Sequence, residues 1–155
     1  MLGKLSNKQI EQLLKDQNVG RIGCCDNNRP YVVPVNYVYE KGIVYCHSGV
    51  GMKIRIMRNN PNICFQVDHI KDVLNWKSVI ARGKFEEITE LREKESALQK
   101  LIDEIAPYLK GSDSHPSHGI TASNSDIGNG VELVLYKLVF SEMSGRFESH
   151  EKIDE

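Results

Sequence analysis

Between Val19 and His47 three β-rich runs follow one another with only short joints between them. They are Val19 to Cys25, Pro30 to Tyr39 and Ile43 to His47, linked by Asp26-Asn27-Asn28-Arg29 and by Glu40-Lys41-Gly42. Neither joint has room for a crossover, and a parallel pair needs a connection of about a dozen residues or more. The three runs must therefore pair as antiparallel hairpins. Three further runs read as strands: Ile63 to Asp68, Ser78 to Glu87 and Val131 to Ser141. The count is about six strands and three helices, without regular βαβ alternation. That excludes a doubly wound parallel sheet and predicts a mainly β fold, an antiparallel barrel with peripheral helices.

The helices carry their own signals. Ser6 can cap the first, Gln9 can complete a capping box, and Leu5 can staple onto Ile10. Met52 to Arg58 is a short basic helix stopped by Asn60-Pro61. Thr89 is read as the cap of a longer helix with apolar positions Leu91, Leu98, Leu101, Ile102 and Ile105, ended by Pro107. Pro30 to Tyr39 is largely apolar on both faces, which predicts a strand covered on both sides, as in a barrel wall packed against helices or a partner. Gly111 to Gly130 reads as a long loop, Ser144-Gly145 as a turn before Arg146. One domain over residues 1–147 is expected, with a charged tail at 148–155.

Composition narrows the function classes. The net charge is −1 and the pI about 6.5, so nothing favours nucleic acid as a partner. No apolar run is long enough to span a bilayer, and the N-terminus lacks the apolar core of a signal peptide, so a cytoplasmic location is expected. The cysteines, Cys24, Cys25, Cys46 and Cys64, form no CxxC pair and lie in apolar runs, which predicts buried, reduced core thiols. His115 and His118 lack a nearby thiol or carboxylate cluster, so no metal site is expected.

The chemistry-bearing stretch is His47-Ser48-Gly49-Val50-Gly51-Met52-Lys53, a strand end leading into a helix N-terminus. Bare backbone amides and a lysine can converge there on a phosphate. The alternative is an ordinary glycine-rich turn with a solvated Lys53. His47 could move a proton near neutral pH or be a hydrogen-bonded structural histidine. Asn36 interrupts an apolar strand and could meet the edge of a planar heterocycle or satisfy backbone groups. Lys77, Ser78 and Arg82 enter the fifth strand together, and alternation puts Ser78 and Arg82 on one face.

The ordered set PYVVPVNY, YCHS-x-x-G-x-K, NP-x-x-CF and SV-x-x-x-G resembles the pyridoxamine phosphate oxidase-related FMN-binding split barrels, in particular the nitroimidazole-resistance-type branch. The resemblance implies a six-stranded Greek-key split β-barrel that forms a homodimer, with FMN in a cleft at the subunit interface. It would lay Pro34, Val35, Asn36 and Tyr37 along the isoalloxazine and place His47, Ser48 and Gly51 near the flavin and its ribityl phosphate. Lys53 would bind the phosphate. Lys77, Ser78 and Val79 match the second flavin-contacting strand, and Arg146 a basic residue after the last strand. Met52 stands where pyridoxamine phosphate oxidases carry an arginine, and their C-terminal Trp and Arg motif is missing. Oxidation of pyridoxine phosphate is therefore not expected. The implied function is an FMN-dependent oxidoreductase acting on a small-molecule substrate that is flat and electron-poor, such as a nitroaromatic, with His47 as the catalytic proton donor. A flavin-binding electron carrier without a substrate of its own, and a haem-binding split barrel, are the alternatives.

Overall fold

The computed structural model describes residues 1–108 and 132–151. The stretch Gly111 to Gly130, with His115 and His118, and residues 152–155 of the tail lie outside them.

Both short joints turn as hairpins. Asn27 and Asn28 sit at φ of 51° and 59°, and Lys41 and Gly42 at 50° and 81°. Asparagine and glycine tolerate this left-handed region, and a two-residue turn built there matches the twist of paired strands. The first turn joins β2 (Val19–Asp26) to β3 (Arg29–Asn36), the second β4 (Val38–Glu40) to β5 (Ile43–Ser48). With β1 (Leu2–Lys4), β6 (Asn62–Asp72), β7 (Asn75–Glu87) and β8 (Val134–Glu148) they form one antiparallel sheet of eight strands among the described residues. Its order is β3-β2-β6-β7-β8-β5-β4, with β1 on β8.

The two strands beyond the expected six are β1 and the piece split from the run Pro30 to Tyr39. The split falls at Tyr37. Its N–H leaves the β2 ladder to reach the Asn18 carbonyl at 3.1 Å, and its buried hydroxyl donates to the Leu14 carbonyl at 2.7 Å. Because β3 lies at one end of the sheet and β4 at the other, the chain crosses at Tyr37 from edge to edge. This crossing, with β3 touching β5 across the gap, bends the sheet into a split barrel. Within the single chain only one face of β3 is covered: Val35 is buried, whereas Val32 is 68% exposed, which leaves that face to a partner.

Two other expectations are corrected. Ser144-Gly145 is no turn but lies within β8, where Gly145 pairs with Val79. A Cβ at position 145 would stand 2.8 Å from Leu5 Cδ1, so the glycine marks the close seat of the first helix. The last strand runs straight through it. The cap of α3 (Leu91–Ile105) is Glu90 rather than Thr89; its carboxylate accepts from the Arg92 and Glu93 N–H groups at 3.1 and 2.8 Å. A carboxylate there also complements the helix dipole. Pro107 falls in the single 3₁₀ turn Ala106–Tyr108 that follows.

The first helix, α1 (Asn7–Asp16), has the expected capping box between Ser6 and Gln9 and buries Ile10, Leu13 and Leu14. The second, α2 (Met52–Asn59), buries Ile54, Ile56 and Met57. Both join the barrel core around Ile22, Val44, Phe65, Val67 and Leu138. Helix α3 packs Leu98, Leu101 and Ile102 against Leu135 as a second cluster. Among the described residues helices thus cover the barrel at several points, while one face of β3-β2-β6-β7-β8 stays bare.

Candidate functional site

Strand alternation divides the expected site residues among three places. On the bare outer face, antiparallel register lines up rows of side chains. Pro34 stands beside Arg21, Arg21 beside Gln66, Gln66 beside Ile80 and Ile80 beside Ser144. The neighbouring row holds Asp68, Ser78 and Arg146, and Asn36 pairs with Val19 at its β3 end. Four expected residues, Pro34, Asn36, Ser78 and Arg146, therefore share this surface with the half-exposed apolar side chains of Val19 and Ile80. Val35, Tyr37 and Val79, one residue away along the same strands, point inward and are buried. Lys77 is also turned away: it pairs with His69 and Phe147 and lines a 440 Å³ cavity with Gln9, Leu13 and Trp76.

The third group sits where β5 hands over to α2. His47 and Ser48 are 8% and 1% exposed and pair with Leu135 and Val134. The Ser48 hydroxyl donates to the Gly49 carbonyl at 2.7 Å. Gly51 is the N-cap of α2 and supplies no side-chain bond to the first-turn amides. Among the described residues a Cβ at Gly51 would meet no atom within 4 Å, so nothing crowds this cap. Lys53 lies in that first turn, half-buried. Burial pushes its ammonium below the ordinary lysine value, and the thiols of Cys46 and Cys24 act in the opposite sense. Among the described residues no carboxylate forms an ion pair with it. A buried-side cation next to uncapped amides is an arrangement that suits an anion.

The cysteines do not all behave as core thiols. Cys24 and Cys46 are buried, Cys25 is partly covered, and Cys64 is exposed on the outer face, where it pairs with Gly23 and Arg82. All four are free. Burial pushes the Cys46 thiol up to about 12, partly offset by the neighbouring Tyr136 hydroxyl.

Sequence reading passes over three polar residues of the outer face. Arg21 Nη1 donates to Gln66 Oε1 and to Asp68 Oδ2, both at 3.1 Å. Gln66 Nε2 donates to Asp68 Oδ2 at 2.7 Å and to Ser78 Oγ at 3.1 Å. The signal was available in the alternation of Cys64, Gln66 and Asp68 against Ile63, Phe65 and Val67. Beside Asn36 the structure also opens a cavity of about 590 Å³ between the end of α1, α3 and β4, walled by Val38, Leu101 and Ile105 and edged by Asn18 and Tyr108.

Comparison with known proteins decides the family. The family model described as pyridoxamine 5'-phosphate oxidase matches residues 6–147. The chain belongs to the pyridoxamine 5'-phosphate oxidase-like family. An uncharacterized protein of Rhizobium meliloti is 31% identical over 84 residues, 54% of this chain; the match spans only 56% of that relative's own length. Among solved structures, a FAD-binding protein from Mesorhizobium loti is 27% identical, with a TM-score of 0.76, over 96% of this chain and 99% of that one. A candidate 5-nitroimidazole antibiotic resistance protein from Bacteroides thetaiotaomicron is 25% identical, with a TM-score of 0.69, over 95% and 87% of the two chains. The split barrel of this oxidase-like family is thus the fold of the chain. No helix among the described residues is long and apolar enough to cross a membrane.

Proposed function

We propose that the chain is a flavin-binding oxidoreductase, that its flavin is FMN, and that two copies form a homodimer with the flavin in the cleft between them. The observation that carries this reading is the composition of the bare sheet face. Its apolar side chains offer a stacking surface, and Asn36, Ser78 and Arg146 offer hydrogen bonds to the edge of a flat heterocycle. The residues fit the cofactor at its other end as well, since Gly51, the α2 amides and Lys53 suit a phosphate. The likeness to a FAD-binding protein at 27% identity supports a flavin.

When bound, the flavin supplies the hydride and electron chemistry, and the protein supplies position, charge and exclusion of water. Lys53 holds the phosphate, Asn36 and Ser78 orient the ring, and His47 is the residue that delivers a proton to the substrate. The substrate is a small, flat, electron-poor molecule such as a nitroaromatic. The cavity beside Asn36, with its apolar walls and few polar edges, has the make-up of a small-molecule pocket.

FAD is the second reading of the cofactor, favoured by the Mesorhizobium likeness. Purified protein should be yellow, release FMN by mass spectrometry and sediment as a dimer. Released FAD would select the second reading. A colourless preparation that takes up neither nucleotide would overturn the flavin assignment, and a red-brown one would point to haem. Accelerated reoxidation of the reduced protein by nitro compounds is expected; no acceleration by any of them would favour an electron carrier.

A further inference from the structure

The amide of Gln66 has two chemically different ends, and its neighbours distinguish them. Its oxygen faces the Arg21 guanidinium at 3.1 Å, and its nitrogen faces the Asp68 carboxylate at 2.7 Å. Turning the amide over would aim oxygen at carboxylate and N–H at guanidinium, two repulsive contacts. The Arg21–Asp68 ion pair at 3.1 Å ties the two neighbours to each other, across β2 and β6. The amide is therefore held in one orientation, and its remaining N–H is directed onto Ser78 Oγ at 3.1 Å. Among the described residues the Ser78 hydroxyl donates to nothing; its paired neighbours are Arg146 on β8 and Asp68 on β6.

We infer that Gln66, locked by Arg21 and Asp68, is a positioning residue that holds the Ser78 hydroxyl in place to bond whatever lies on the outer face. A serine hydroxyl is ordinarily free to donate or accept. Here the incoming Gln66 N–H occupies one lone pair and restrains the rotor, leaving the proton and the second lone pair for a ligand. The inference rests on the flavin reading for the identity of that ligand. For a flavin, that ligand is the edge of the ring system.

The test is a double-mutant cycle read by FMN titration and by the visible absorption band of the bound flavin. Ser78→Ala and Gln66→Leu should each weaken FMN binding about 3- to 10-fold, the effect of one neutral hydrogen bond. The double variant should lose no more than Ser78→Ala alone, and all three should shift the band alike. Additive losses, or a band unmoved by Gln66→Leu, would overturn the inference. Melting of the unliganded variants separates these effects from loss of fold. If the unaltered protein binds no flavin, the proposed function fails, and the lock is judged without ligand. The ¹⁵N side-chain amide resonance of Gln66 should then move on Ser78→Ala and on Asp68→Asn. A resonance that stays put in both would overturn the lock itself.

Discussion

Lys53 places a cation in the first turn of α2, the end of a helix that repels positive charge. Its half-buried position and lowered ammonium value make the unliganded state pay twice. An anion at the uncapped turn removes both penalties. Lys53→Met should therefore melt higher than the unaltered protein without ligand. It should also bind FMN more weakly by about 1.5–3 kcal/mol, the range for hydrogen bonds to charged groups. Riboflavin, which lacks the phosphate, should bind both proteins nearly alike; equal losses for the two ligands would remove Lys53 from the phosphate site. His47 is tested separately. His47→Ala should keep its flavin, counted from the absorption spectrum, and lose most turnover of a nitroaromatic; unchanged turnover would exclude it from proton delivery. At this scale the sequence was legible in part. The motif around Lys53 was visible because glycines and a lysine at a helix start form a local signal. Alternation could put Gln66 and Asp68 on one face, but their meeting with Arg21 was not legible, because it comes only through the register of β2 against β6.

At the scale of elements, the informative one is the break between β3 and β4. The sequence presents Pro30 to Tyr39 as one apolar run, and nothing local marks Tyr37 as the crossing point. The cause is tertiary: Asn18 and Leu14 take up the Tyr37 N–H and hydroxyl. Removing the hydroxyl leaves the Leu14 carbonyl without that partner in a buried place. Tyr37→Phe should cost about 1–3 kcal/mol in denaturant unfolding, the penalty of a buried polar group left unsatisfied. A loss near zero would show that this bond does not fasten α1 to the barrel. The same logic explains the misread end of β8. Ser-Gly is a turn signal by composition, but Gly145 is required by the closeness of Leu5, a contact no local pattern reveals. Helix caps and hairpin turns, whose causes lie within four or five residues, were readable; α3 was misplaced by a single position because Glu90 outcompetes Thr89.

For the whole molecule, the tyrosines that seal the barrel predict how stability responds to alkali. Burial and the Glu11 carboxylate push Tyr39 up to about 12, and burial raises Tyr37 further. The unfolded chain loses these protons near the ordinary tyrosine value of about 10. Below that pH neither state ionises and the contribution is complete. Between about 10 and 12 only the unfolded state releases its protons, so stability falls as pH rises. Midpoints of urea unfolding measured across this window should decline, and Tyr39→Phe should flatten part of the decline; an unchanged slope would show that Tyr39 does not contribute. The architecture was legible as antiparallel and mainly β because short joints forbid anything else. The number of strands was not, since β1 exists only through its pairing with β8.

That last strand has a temporal consequence. It lies between β7 and β5 and also carries β1, so three partners wait for a segment that the ribosome makes after all of them. Until it arrives, the earlier strands present two unsatisfied borders to the surrounding solution, a template for self-association. Nascent chains of this protein thus depend on late docking of residues 134–148, and their vulnerability to misassembly is concentrated in the interval before it.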